Sequence, residues 1–111
     1  MRTSKPTVSF VYLITSELLA QDGNEMKIPS GTTVFGQMYV PAGSMQKALA
    51  VSSREWSEQC YDFTDVLVSK RFNMGNWDFD DYPDGSSERR LCVEAAKTGK
   101  VQYGVLVKGK A

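Results

Sequence analysis

An apolar segment near the N-terminus, residues 8–14, places the strongest constraint on the fold. Its side chains alternate with the two-residue period of a β-strand, and both of the resulting faces are largely apolar. One face contains Val8, Phe10, Tyr12 and Ile14, and the other contains Val11 and Leu13. A strand that is apolar on both faces must be covered on both sides, which predicts a central position in a sheet.

The next segment, residues 16–21, leaves two alternatives open. It runs into Asp22-Gly23, so it fits either a short helix that the glycine ends or a hairpin turn. A turn is predicted at residues 29–31, and residues 33–40 alternate again as a second strand. Val34, Met38 and Val40 share one face of this strand, and Phe35 and Tyr39 share the other.

The second half of the chain predicts two helices and two more strands. Ser44 fits the N-cap of a helix, and apolar spacings of three and four continue from residue 45 to 60. A β-like pattern over 63–72 precedes a Gly-, Pro- and Asp-rich loop over 73–84. A second helix is predicted over 87–97, ended by Gly99, and its inward residues are Leu91, Cys92, Ala95 and Ala96. The chain then closes on a strand whose one face contains Val101, Tyr103, Val105 and Val107.

Together these elements predict an α+β fold in a single domain covering residues 1–111. A chain of 111 residues can bury about two thirds of its surface around one core without disulfides or metal. We expect a sandwich with a mixed or mostly antiparallel sheet of four to five strands and both helices on one face. A ferredoxin-like arrangement is the first expectation.

The absence of histidine excludes several classes of enzyme. Ser-His-Asp and Cys-His nucleophiles, imidazole acid–base catalysis and His-ligated zinc all require that ring. An enzyme would have to use Glu, Asp, Tyr or Lys with a pKa shifted toward neutrality. Glu17 follows the apolar strand, and with Tyr12 and Tyr39 it forms the candidate catalytic set for such an enzyme or ligand-binding domain, in a pocket that could lie between subunits.

Two cysteines, Cys60 and Cys92, show no metal-binding or redox spacing. Free buried thiols in a reducing compartment are expected, with one disulfide as the alternative. Arg2 and Lys5 before an apolar run imitate a signal peptide, but polar residues dilute the run and no small-residue cleavage site follows. The longest apolar stretch is also too short for a membrane span. A cytoplasmic protein without membrane contact is therefore expected.

Charge is strongly segregated although the net charge is zero. Residues 1–54 carry a net charge of +2, residues 55–88 carry −7 and residues 89–111 carry +5. The acidic stretch could pair with the basic C-terminal stretch or form a solvated face. Alternatively, its carboxylates could attract a basic partner over long range.

The acidic stretch contains a segment in which aromatic and acidic residues interleave. Trp and Tyr often dominate protein interfaces, so this segment predicts docking on a basic surface of a larger protein, with carboxylates in place of phosphates. The alternative is that the aromatic residues only anchor the loop to the sheet. The candidate binding residues are Trp77, Asp78, Phe79, Asp80, Asp81, Tyr82 and Asp84. Small size and the lack of recognisable catalytic residues favour an inhibitor encoded by a phage or mobile element.

The remaining predictions concern metal ions, nucleic acid and further copies of the chain. Asp78, Asp80, Asp81 and Asp84 lack the spacing and the glycine of a calcium loop, so no metal or other cofactor is expected. The basic C-terminal stretch, with Tyr103 to stack a base, could contact nucleic acid, but the acidic stretch would repel phosphate. An open strand edge could support a homo-oligomer.

Overall fold

The computed structural model describes residues 10–73 and 87–109, and in this part of the chain four antiparallel strands form one sheet. The elements are β1 (Phe10–Ala20), β2 (Thr33–Pro41), α1 (Met45–Glu58), β3 (Tyr61–Asn73), α2 (Ser87–Thr98) and β4 (Gln102–Lys108). The strand order is β3-β1-β2-β4, with every neighbouring pair antiparallel. The predicted α+β class is therefore confirmed, and β1 occupies a central position as expected.

The ferredoxin-like arrangement is wrong, because β1 leads directly into β2 without a helix between them. Residues 16–21, which were open to two interpretations, largely continue the strand: Leu18 and Ala20 are fully buried on the face that Ile14 occupies. The connecting loop turns at Gly23, where φ is +93°, a value that glycine adopts without strain. Asn24 then fixes the loop through two hydrogen bonds with the backbone of Ile28, at 2.7 and 2.8 Å.

The two helices lie on opposite faces of the sheet, so the expectation of both helices on one face is wrong. Alternation along β1 directs one set of side chains toward α1 and the other toward α2. The α1 core contains Tyr12, Ile14, Leu18, Met38, Ala48 and Trp56. The α2 core contains Val11, Leu13, Tyr39, Phe72, Cys92, Ala95 and Ala96. This arrangement explains why β1 is apolar on both sides.

The ends of both helices follow from the local sequence. The Ser44 side chain accepts a hydrogen bond from the backbone N–H of Lys47 at 3.2 Å, which confirms the N-cap of α1. After α1, Cys60 adopts a positive φ of 69°, and the chain reverses directly into Tyr61 at the start of β3. Gly99, with φ of 72°, ends α2 as predicted. The reversal at Cys60 brings Tyr61 next to Trp56 in the last turn of α1.

A bulge in β4 changes the direction of Tyr103. Met38 is paired with Tyr103, Gly36 with Leu106 and Phe35 with Val107. Two residues of β2 therefore span three residues of β4, and Tyr103 faces α1 whereas Val107 faces the opposite side. The prediction that residues 101–107 keep strict alternation is wrong for this reason, and the bulge directs Tyr103 toward Trp56.

Both outer strands leave apolar side chains in solvent. Leu67 and Val68 on β3, and Val105 and Val107 on β4, are each about half exposed. Edge-to-edge pairing of copies stays a prediction. Within the described ranges, no helix has the length and apolar character needed to cross a membrane.

Cys60 and Cys92 are both free thiols, but only Cys92 is buried as expected, since Cys60 is half-buried. Cys92 lies in the α2 core, where burial raises its pKa to about 12. A thiol with such a pKa is protonated at neutral pH and is a poor nucleophile or metal ligand. The structure therefore assigns Cys92 a packing role.

Candidate functional site

A cavity of about 250 Å³ opens beside the last turn of α1, the β1–β2 loop and the edge strand β4. Its aromatic wall is formed by Trp56, Tyr61 and Tyr103. Glu25, Met26, Gln59, Gly104 and Leu106 complete the lining. A concave, mainly apolar cavity with a few polar groups is the usual form of a site for a small molecule.

Three aromatic rings meet in this cavity, with Trp56 between the two tyrosines. The ring centroids of Trp56 and Tyr61 are 5.9 Å apart at an interplanar angle of 89°. Those of Trp56 and Tyr103 are 5.2 Å apart at 77°. Both pairs have the edge-to-face geometry that aromatic rings favour. Trp56 and Tyr61 are almost fully buried, whereas Tyr103 is 39% exposed. The two buried rings therefore form the inner wall of the cavity, and the cavity opens to solvent beside Tyr103 on β4.

Gly36 in β2 leaves the space in which the indole ring of Trp56 packs against the sheet. A Cβ atom at Gly36 would lie 2.7 Å from Trp56 Cζ2 and 2.9 Å from Trp56 Cη2. Carbon atoms in contact normally lie about 3.5–4.0 Å apart, so any larger residue would displace the ring. Gly36 is therefore required for the position of Trp56.

Two buried polar atoms of the aromatic wall have no hydrogen-bond partner. They are Trp56 Nε1 and the Tyr61 hydroxyl. Leaving a buried donor without an acceptor costs about 1–3 kcal/mol, and native proteins rarely retain such groups without a reason. The hydroxyls of Ser16 and Ser52 are buried without a partner as well, and all four atoms have almost no accessible surface, so none of them is exposed in the cavity.

Tyr103 is held by a carboxylate of α1. Its hydroxyl donates a hydrogen bond to Glu55 Oε1 at 3.1 Å, and the other oxygen, Oε2, lies 3.8 Å from Arg54 Nη2. Burial of the phenol, the hydrogen bond to Glu55 and the negative charge of that carboxylate raise the pKa of Tyr103 to about 12. Burial also raises the pKa of Tyr61, with smaller contributions from Cys60 and Glu25. Both phenols are therefore protonated at neutral pH.

We expect a spectrophotometric titration to detect the phenol of Tyr103 as a late step near pH 12, above the ordinary value of about 10. Because the folded-state pKa is raised, this group contributes stability below pH 10 that is lost as the pH rises toward 12. Tyr103→Phe should remove the late step. Glu55→Gln should move it partway toward 10, because burial remains. A Tyr103 step at pH 10 in the native protein would contradict the contact with Glu55.

The predicted catalytic set is not brought together. Tyr12 points toward α1 and Tyr39 toward α2, since they belong to the two separate cores. Glu17 is paired with Phe35 in the sheet, and its carboxylate accepts a hydrogen bond from the Thr64 hydroxyl at 3.2 Å. Strand alternation thus separates Tyr12 from the other two residues.

The predicted binding residues Trp77, Asp78, Phe79, Asp80, Asp81, Tyr82 and Asp84 lie outside the described residues. Docking through this segment stays a prediction. Residues 10–73 and 87–109 contain no group of three or more His, Cys, Asp and Glu side chains that could hold a metal ion.

Sequence reasoning missed the aromatic pocket because its residues come from separate segments. Trp56 fits the core stripe of a helix, and Tyr103 fits one face of the last strand or a ring that stacks on a base. Neither pattern shows that the two rings meet. Glycines in two neighbouring strands, Gly36 and Gly104, were the available signal, since glycine inside a strand often marks a bulge or a close approach.

Comparison of the chain with protein-family models, curated proteins and solved structures gives no match in any of the three.

Proposed function

We propose that this protein is a small ligand-binding domain and that the aromatic pocket of Trp56, Tyr61 and Tyr103 is its binding site. The observation that carries the proposal is the meeting of three aromatic rings, from α1, β3 and β4, in one mainly apolar cavity of about 250 Å³. The exposed ring of Tyr103 supplies the outer wall.

The protonation of the phenols favours binding over acid–base catalysis. A general base works best when its pKa lies near the operating pH, whereas the pKa of Tyr103 is raised to about 12. The protonated phenol of Tyr103, hydrogen-bonded to Glu55, instead gives the cavity an aromatic ring in a fixed position and a hydroxyl group at its edge. The enzyme alternative based on Glu and Tyr therefore receives less support from this site than ligand binding does.

The proposal can be tested by fluorescence with Trp56 as the only tryptophan. The chain has two tryptophans, so a Trp77→Phe background isolates the emission of Trp56. Titration with a panel of small aromatic, neutral and cationic compounds should give at least one saturable change in emission. Gly36→Ala should weaken that response, because an added Cβ would lie 2.7 Å from Trp56 Cζ2 and 3.1 Å from Leu106 Cδ1, and both residues line the pocket.

The control for this experiment is Gly43→Ala, since a Cβ atom at Gly43 would meet nothing within 4 Å. This variant should respond as the background does. The proposal would be abandoned if no compound in the panel changed the Trp56 emission saturably, or if Gly36→Ala left the affinity of every binder unchanged.

A second candidate function is docking on a basic protein partner through the acidic segment. It is supported by the −7 net charge of residues 55–88 and by the exposure of Glu58, Asp62 and Asp65 at the surface. Exposed carboxylates increase the association rate with a positively charged protein.

We expect reversal of the four aspartates Asp78, Asp80, Asp81 and Asp84 to lysine, together with Trp77→Ala, to abolish capture of basic partners in a pull-down. Reversal of Lys97 and Lys100, which are exposed near the end of α2, is the control and should preserve capture. An unchanged set of captured proteins after the aspartate reversal would exclude this function.

A further inference from the structure

Three carboxylates lie in or near the lining of the aromatic pocket, and one of them, Glu55, is also 3.8 Å from the guanidinium of Arg54. Glu25 lines the cavity, and its negative charge contributes to the raised pKa of Tyr61. Glu55 accepts the hydrogen bond of Tyr103, and the charge of Glu58 also reaches that phenol. The described lining residues include no lysine or arginine. The electrostatic potential in the cavity therefore favours positive charge.

The aromatic rings favour positive charge as well. The face of an aromatic ring is electron-rich and attracts a cation within about 6 Å of the ring centroid. The rings of Tyr61 and Tyr103 are nearly perpendicular to that of Trp56, at 89° and 77°. Rings in such an arrangement can surround a compact ligand on more than one side.

From this geometry we infer that the ligand is a small organic cation with an alkylated nitrogen, such as a quaternary ammonium compound. The inference rests on the proposed ligand-binding function. A cavity of about 250 Å³ is smaller than the roughly 300–1,000 Å³ of sites for drug-sized molecules, which restricts the ligand to a compact one.

Alkylation matters because of hydration. A primary ammonium group is a strongly hydrated point charge, and a mainly apolar cavity cannot replace its water shell. Methyl groups around the nitrogen lower that desolvation cost and contact the ring faces directly.

The test is isothermal titration calorimetry of the full chain with choline and with 3,3-dimethylbutan-1-ol, the neutral isostere in which carbon replaces the nitrogen. We expect choline to bind at least tenfold more tightly than the isostere. Glu25→Gln should weaken choline binding severalfold without affecting the isostere. Asp22→Asn, a change at an exposed position of the same loop, is the matched control and should leave both affinities unchanged.

Equal affinity for choline and its isostere would overturn the inference, because the charge would then contribute nothing. Binding of a neutral compound from the fluorescence panel without any binding of choline would also overturn it, while the ligand-binding proposal would stand. If neither choline nor any compound of that panel bound, both would fail.

Discussion

Replacement of Trp56 by alanine is expected to lower the free energy of unfolding by about 3–5 kcal/mol, the usual cost of truncating a buried tryptophan. Trp56 is 2% exposed, and its ring contacts those of Tyr61 and Tyr103. The variant should also lose ligand binding, because the ring that joins the two tyrosines is gone. Urea unfolding followed by circular dichroism measures the first effect, and calorimetry with choline measures the second.

Two other variants serve as controls for this result. Trp56→Phe keeps an aromatic ring and should lose less stability than alanine does. Met26→Ala changes a pocket residue that is 58% exposed, so its unfolding free energy should change little. A loss of less than about 1 kcal/mol for Trp56→Ala, below the range for such truncations, would show that the indole is not packed as described.

Replacement of Gly36 by alanine should destabilise the protein by about 1–3 kcal/mol, the usual cost of inserting a methyl group into a packed core. The new Cβ would lie 2.7 Å from Trp56 Cζ2 and 3.1 Å from Leu106 Cδ1. Because the Trp56 ring is rigid and buried, the whole ring must shift within the pocket to relieve this close contact. Ligand affinity should therefore fall together with stability, as thermal unfolding and calorimetry can show.

The matched control for Gly36→Ala is the same substitution at Gly43, where the added atom would meet nothing within 4 Å. Gly43→Ala should leave both stability and affinity nearly unchanged. If Gly36→Ala behaved in the same way, the close approach of β2 to the indole would be refuted.

Much of the fold could be predicted because its determinants are local. Two-residue alternation identified β1 and β2, Ser44 marked the start of α1, and Gly99 marked the end of α2. The incorrect predictions concern how the strands and helices are arranged relative to one another. Residues 16–21 were ambiguous because a short segment does not reveal its period, and this ambiguity left the ferredoxin-like order possible. Whether two helices share a face depends on packing across the sheet, which periodicity does not encode.

The pocket could not be predicted for the same physical reason. Tyr103 reaches Trp56 only because β4 contains one extra residue opposite β2, and a bulge shifts every later side chain to the other face. Strict alternation placed Tyr103 with Val107 instead. The catalytic set of Glu17, Tyr12 and Tyr39 does not converge, because alternation along neighbouring strands places Tyr12 and Tyr39 in separate cores and Glu17 belongs to neither.

The central claim, that the cavity around Trp56 is a ligand site, is tested most directly by the indole N–H signals in ¹H–¹⁵N correlation spectra. The two tryptophans give two such signals, and Trp77→Phe assigns them. During separate titrations with choline and phenol, at least one ligand should shift the Trp56 signal saturably while the Trp77 signal stays in place. A Trp56 signal that stays fixed with both ligands, or a shift confined to Trp77, would contradict the claim.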